Sequence, residues 1–441
     1  VRSLRTYSLN DEDVLNRLLN IYKKVRSSLK ERVGRNVTWS EVGEEVSALL
    51  DELKSLVIYH VLSRDALTVA LRWVRELRRS LTAITRNLNV DGVTFSKEMK
   101  SFIEDPRAHL KKKLFIYTHD LIRGSIDIHE YLRVSSAAVR TSLRTNLRTV
   151  YQTWVFLNVL SYIGSLGGRL IYPEHRYLNL ERMGKQRTGT IPPNAILLIP
   201  GRGYLSFFIE APRPIGWEDT TDLKRAWRLY TALRPDFMVY GGKVMNILKD
   251  SDREPIARPD VIIECKELDD WYLRSRDIKG PLTKPLTAEE WRSKWITGLW
   301  AGLAEALNID RSSIPKVVKE RRAVRLKEYQ VVSLYLKLYK PREMYLVSRS
   351  PIPTDIKRYL RDEGINVIDN VRFRTSRLRS IARSILKFAK GSETAILEVG
   401  QDVIELINEV RTILSSKGLN MSIDELLLRS LRLLKERVTE S

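Results

Sequence analysis

Apolar positions recur at two periods, which alternate along the chain. Up to about residue 135 the spacing is helical. Val14, Leu18, Leu19 and Tyr22 follow an Asn10 cap and the acidic run Asp11-Glu12-Asp13. Thr38 and Glu41 form a capping box ahead of Val42, Val46, Leu49 and Leu50. The amphipathic pattern runs on to Arg86, where the polar stretch 87–92 breaks it. Residues 128–139 can be read as a helix-turn-helix with Ser135 and Ser136 in the turn. Beyond it Val139, Leu143, Leu147, Val150, Trp154 and Leu157 make an apolar stripe of period near 3.6.

From Gly168 the period shortens to two. Residues 170–172 read as a short strand, and 195–200 and 204–209 as a hairpin around Gly201-Arg202-Gly203. Two further apolar runs, 237–240 and 261–266, flank a polar loop at 249–257. A loop rich in Lys, Arg, Pro and Gly spans 274–286. Thr287 and Glu290 then cap a helix with Trp291, Trp295, Leu299, Leu303 and Leu307 on one side. After this come a helix from Tyr329-Gln330 to Tyr339, a strand at 344–348, a helix at 355–363 stopped by Gly364, and a strand at 366–369. The tail returns to helical spacing, with breaks at Gly391 and Gly418 and a capping box of Ser422 and Glu425 before Leu426, Leu427, Leu431 and Leu434. The leucine stripe packs internally or docks on a second chain. The expected fold is therefore α/β (α+β). A helical N-terminal domain (1–135) precedes a mixed-sheet core flanked by helices (136–372), and a helical C-terminal region (373–441) follows.

Charge changes this picture. The 441 residues hold 76 Lys and Arg against 54 Asp and Glu, a net charge of +22, and the isoelectric point is near 9.9. An ion-pair-rich surface explains abundant charge but not such an imbalance. A polyanionic partner explains both, and DNA is the default, with RNA left open. Arg140, Arg144 and Arg148 recur every four residues on a helix face away from the apolar stripe. Such a ridge is either a solvated face or a backbone-tracking one. The same two readings apply to the basic stretch 316–327, with Lys319, Arg321, Arg322 and Arg325.

The single cysteine excludes an intrachain disulfide and a Cys-based zinc site, and fits a reducing cytoplasm. The five histidines, at 60, 109, 119, 129 and 175, have no metal-ligand spacing. No run of 18 apolar residues suggests a membrane span, and the charged start lacks a signal-peptide core. No Gly-x-x-x-x-Gly-Lys-Ser/Thr loop is present, so ATP-driven work would need a motor-protein partner.

Ionisable residues interrupt two of the apolar runs. Asp236 follows Arg234-Pro235 at the head of one, where a proline suits a strand start. Glu264 and Lys266 share one face at the end of the other, with Cys265 on the opposite face. Buried there, they would cost several kcal/mol without a partner, which a metal ion and a phosphate would supply. Arg258-Pro259-Asp260 repeats the Pro-Asp pair, but Asp260 lies about 13 Å from Glu264 along one strand. Asp236, on a neighbouring strand, can lie beside Glu264. Glu210, ending the hairpin, is either a further acid near the site or an exposed strand end.

Asp236 followed by Glu264-Cys265-Lys266 resembles the signature of the PD-(D/E)xK, or restriction-endonuclease-like, nuclease superfamily. The resemblance implies that Asp236 and Glu264 hold Mg²⁺ or Mn²⁺ with help from the Cys265 carbonyl, and that Lys266 orients or activates the attacking water. It also places Gln330, on the following helix, near the site. Tyr151-Gln152-Thr153-Trp154 is similar to the Tyr-Glu-x-Trp before the core in nuclease subunits of modified-cytosine restriction systems, with Gln152 standing where that branch has Glu. The implied activity is metal-dependent hydrolysis of DNA. The alternative is a non-catalytic nucleic-acid-binding protein, or a partner-dependent subunit of a DNA defence or repair complex.

Overall fold

The computed structural model describes residues 11–30, 43–181, 191–211, 233–247, 256–278, 324–391 and 401–419, with single positions between 423 and 437. Asn10, the Thr38–Glu41 and Ser422–Glu425 boxes, the helix expected after Thr287, Lys319, Arg321 and Arg322 lie outside the described residues. The chain divides into two compact units, Val1–Gly391 and Ser392–Ser441.

Helices open the first unit: α1 (Asp11–Lys30), α2 (Glu44–Val61), α3 (Arg64–Leu88), α4 (Lys97–Glu104), α5 (Pro106–Lys113), α6 (Phe115–Ile122) and α7 (Ile128–Ser165). Their ends follow local chemistry. Ser63 accepts from the Ala66 amide to start α3, and Asn89 ends it in the left-handed region at φ 53°. Asp127 accepts from the Glu130 amide at 2.8 Å to start α7.

α7 organises the unit. Its 38 residues span about 57 Å at 1.5 Å per residue. The helix-turn-helix expected at 128–139 is absent: α7 runs straight through it. No glycine or proline interrupts this stretch, and Ser135 is buried inside the helix rather than exposed in a turn. The same helix crosses the domain boundary expected at 135 without a break. Its first half is amphipathic and leaves Arg140, Arg144 and Arg148 exposed. From Val150 onward it is buried almost all round, because it lies between the other helices and a sheet.

That sheet has seven strands. They are β2 (Arg169–Tyr172), β4 (Ala195–Ile199), β5 (Gly203–Ile209), β6 (Phe237–Gly241), β7 (Val261–Lys266), β10 (Glu343–Ser348) and β11 (Ile365–Ile368). Their order is β11-β10-β7-β6-β5-β4-β2. β10 is parallel to both neighbours and every other pairing is antiparallel, so the sheet is mixed. The β4–β5 hairpin turns on Gly201 and Gly203, both at positive φ. A Cβ on Gly203 would lie 2.3 Å from the Gly391 carbonyl, so only glycine lets the end of the first unit cross there.

Two small pairs complete the strands. β1 (Gly92–Thr94) pairs with β3 (Tyr177–Asn179), and β8 (Ser275–Ile278) with β9 (Val324–Lys327). The start of the expected 274–286 loop is thus strand β8, held by ladder bonds to β9.

Period-two alternation divides the core between the two sheet faces. Phe237, Val239, Ile263, Cys265 and Val347 join the α7 side. Met238, Tyr240, Ile262, Met344 and Leu346 face the other way. There they meet α8 (Glu328–Tyr339) and α9 (Thr354–Asp362), the helix that Gly364 stops at φ 90°. A short helix, α10 (Arg379–Ile385), packs back on α7. In the second unit, α11 (Gln401–Ser416) closes on Gly418, with the Leu419 amide bonded to the Leu414 carbonyl.

Candidate active site

The antiparallel register of β6 and β7 sets Phe237 opposite Ile263. One step further Asp236 meets Glu264, and the Asp236 amide donates to Glu264 Oε2 at 3.2 Å. The Cys265 amide donates to Asp236 Oδ2 at 2.7 Å. Lys266 Nζ lies 3.0 Å from Glu264 Oε1. Two carboxylates and an ammonium therefore converge, with only 7% of Asp236, 4% of Glu264 and 9% of Lys266 exposed.

Neighbouring elements complete the cluster. Gln152, from the buried half of α7, donates its carboxamide N–H to Asp236 Oδ1. Glu328, opening α8, lies 3.0 Å from Lys266 Nζ, so the ammonium is held between two carboxylates. The Lys266 ammonium also sits 5.6 Å from the centre of the Trp271 ring. Glu210 ends β5 at φ 46°, and its amide donates to the Asp236 carbonyl. A non-glycine residue in this region costs on the order of 1 kcal/mol, and the turn leaves Glu210 buried beside Asp236 rather than on an exposed strand end.

These residues floor a cleft of about 560 Å³. Five carboxylates line it: Glu210, Asp236, Glu264, Glu267 and Glu328. Arg144, Arg148, Arg234, Arg274 and Arg276 line it as well. Anionic floor and cationic walls suit a phosphodiester approaching a cation.

Burial pushes the Asp236 carboxyl well above the usual carboxylate range, and the charge of Glu264 pushes it further; Lys266 and the Cys265 amide only partly offset this. Burial raises Glu267 as well. Burial disfavours the Lys266 ammonium, but Glu264 and Glu328 outweigh it and raise its pKa. Burial acts against Glu328 ionising too, and there the Lys266 charge and hydrogen bond win and hold its pKa low. Arg148 keeps a raised pKa because Asp236, Glu210, Glu267 and Glu264 offset its desolvation.

Of the residues singled out in the sequence, Asp236, Glu264 and Lys266 come together here, with Arg144 and Arg148 on the cleft wall. Cys265 touches the site through its amide, while its thiol is buried in the core on the α7 side. Gln330 accepts a hydrogen bond from the Lys327 amide at 2.8 Å, at the start of α8, and does not line the cleft. Arg325 lies on β9 opposite Asp277, away from the lining. Asp260 stands at the far end of β7, where it accepts from the Gly241 amide and pairs with Arg342 at 3.2 Å. Glu267, Arg276 and Tyr335 also line the cleft, and no local sequence pattern marks them. Glu328 had one local signal, an acidic residue in the first turn of a helix.

The motif tyrosine and tryptophan serve the core. Tyr151 and Trp154 stack at 6.1 Å and both pack against Phe373, at 5.5 and 5.0 Å. The Tyr151 hydroxyl is buried with no hydrogen-bond partner among the described residues. Tyr151→Phe should therefore leave the unfolding free energy unchanged or raise it by about 1 kcal/mol, measured by urea titration. A clear loss would mean that the hydroxyl has a partner in solution.

Among the described residues, no group of three or more His, Cys, Asp or Glu side chains is arranged to hold a metal ion. The donors that do converge are the Asp236 and Glu264 carboxylates. No helix among the described residues is long and apolar enough to cross a membrane. No family model, curated protein or solved structure matches the chain.

Proposed function

We propose that this chain is a metal-dependent nuclease with a restriction-endonuclease-like core, hydrolysing DNA phosphodiester bonds in the cleft above β6 and β7. The observation that carries the reading is the convergence of Asp236, Glu264 and Lys266 from adjoining strands beneath guanidinium walls. The residues present fit a hard divalent cation. Asp236 and Glu264 offer carboxylate oxygens, and Asp236 is raised by burial and by its neighbour's charge, which a cation between them would relieve. Asp236 and Glu264 would hold Mg²⁺ or Mn²⁺, and when bound that ion supplies Lewis acidity to the phosphate and the water.

The protein's own groups then divide the remaining work. Gln152 and the Cys265 amide fix the Asp236 carboxylate from two sides, so its orientation is set before a ligand arrives. Lys266 keeps its proton, because its pKa is raised between Glu264 and Glu328. As an ammonium it orients the water and neutralises phosphate charge. Arg144 and Arg148 lie on an exposed helix face beside the cleft, where they position the backbone without reading sequence.

The test is incubation of pure protein with supercoiled plasmid in Mg²⁺ or Mn²⁺, beside Asp236→Ala and Lys266→Ala. The parent should nick or linearise the plasmid, and both variants should leave it supercoiled. Cleavage that survives both changes would move the chemistry elsewhere. Binding without cleavage in either metal would leave a nucleic-acid-binding protein.

A further inference from the structure

A second cavity, of about 280 Å³, adjoins the cleft. α3 contributes Ala66, Val69 and Trp73, and α7 contributes Leu143 and Leu147. Leu268, following β7, adds a further apolar side chain. The rim holds Arg140, Arg144 and Arg274 together with Asp270, which pairs with Arg274 at 3.1 Å, and buried Glu267 also lines the cavity. Arg144, Glu267, Leu268 and Arg274 line both spaces, so one opens beside the other.

Three features narrow the occupant. The volume admits a flat ring system about the size of one nucleobase. Six of the lining side chains are aliphatic or aromatic, and three arginines outnumber the two carboxylates among the charged ones. The rim cations continue the ridge of α7: Arg140, Arg144 and Arg148 are successive steps of about 6 Å along the axis, close to the phosphate spacing of an extended strand. Arg148 lies at the cleft, Arg144 at both spaces and Arg140 at the second cavity alone.

We propose that the second cavity receives one unpaired nucleobase of the strand whose phosphate lies in the carboxylate cleft. The inference rests on the nuclease reading and deepens it by naming the substrate class: a single strand, or a strand with a base out of its stack at the cut. A base buried in continuous duplex cannot enter without being unstacked, which costs a few kcal/mol. The base is held by burial against the apolar side chains, and Arg140 and Arg144 at the mouth take the flanking phosphates or lie over its plane.

The test uses the full chain and 5′-fluorescein single-stranded 12-mers in Ca²⁺, to hold cleavage back, read by fluorescence anisotropy. One tetrahydrofuran abasic position is moved through the strand. Loss of the base at one register should weaken binding about tenfold, the worth of one buried base, with little change elsewhere. Val69→Phe, which fills the cavity from a half-buried wall position, should bind every strand as weakly as the parent binds the worst abasic strand. Its circular dichroism melt reports folding independently. Leu147→Phe fills from the opposite wall and should act in the same way. Binding and Mg²⁺-dependent cleavage with a flat abasic scan would overturn the inference and leave the nuclease reading standing. No binding and no cleavage of any strand would overturn both.

Discussion

Lys266→Met should cleave DNA at least about a thousandfold more slowly than the parent, the scale on which removal of one preorganised charge at a reacting phosphate acts. It should also melt several degrees lower. Both effects have one cause. The ammonium is 3.0 Å from Glu264 and 3.0 Å from Glu328. Removing it leaves two carboxylates facing each other in a buried floor, and breaking such a pair from one side costs about 3–5 kcal/mol. Lys266→Arg separates the two. It returns a positive charge to Glu264 and Glu328 and should restore most of the melting temperature. The planar fork cannot present a compact ammonium at the same point, so the rate should stay low. Rates are compared where circular dichroism shows each variant folded. A methionine variant of parental rate would remove Lys266 from the chemistry, and one of parental stability would show that the carboxylates find another cation.

The arrangement also explains why a helical half is joined so tightly to a mixed sheet. α7 gives its second half to the core and its first half to the cleft wall. Gln152 stands at the junction, buried yet bonded to Asp236. Arg349, at the end of β10, binds the Glu267 carbonyl and lies 5.1 Å from the Trp73 ring on α3. The loop after β7 is thus fixed from the sheet and from the helices at once. Such support from several elements at once is what preorganised charge requires.

How much of this was legible depended on the range of the interaction. The β4–β5 hairpin was visible because Gly201 and Gly203 mark its turn locally. The pairing of Asp236 with Glu264 was visible because each sits at the end of an apolar run, where burial demands a neighbour. The continuity of α7 through 135 was hidden. Ser135 and Ser136 resemble a turn in isolation, and only packing of the buried Ser135 face shows otherwise. Glu328 was hidden because its partner is 62 positions earlier in the chain, and no local pattern reports that contact. Gln330, which the family resemblance points to, lies two residues away on the same turn, yet its carboxamide turns back to the Lys327 amide. Helical rotation of about 200° between them is enough to separate the two directions.

Asp236→Asn should move activity and stability in opposite directions. Cleavage should vanish, because one of the two carboxylates proposed to hold the cation becomes a neutral amide. In EDTA, at pH values above the folded-state pKa of Asp236, however, the variant should be more stable than the parent by roughly 1–3 kcal/mol, since a buried charge facing Glu264 has been removed. Asparagine keeps an oxygen for the Cys265 amide, and rotation of the Gln152 carboxamide accepts the new N–H. The pH dependence fixes the sign. The folded-state pKa of Asp236 is raised above its unfolded value, chiefly by burial and next by Glu264. The folded chain therefore holds this proton more tightly, and the resulting stability is present at low pH and lost as pH rises through the folded value. The advantage of the asparagine variant should be smallest in the ordinary carboxylate range and widen toward neutral and alkaline pH. Mn²⁺ should narrow it again by stabilising the parent alone, by about 2.7 kcal/mol at a hundred times its dissociation constant. Melting curves across pH, with EDTA or Mn²⁺, measure every term. An asparagine variant whose stability relative to the parent does not rise with pH in EDTA, or that gains as much from Mn²⁺, would remove Asp236 from the cation site.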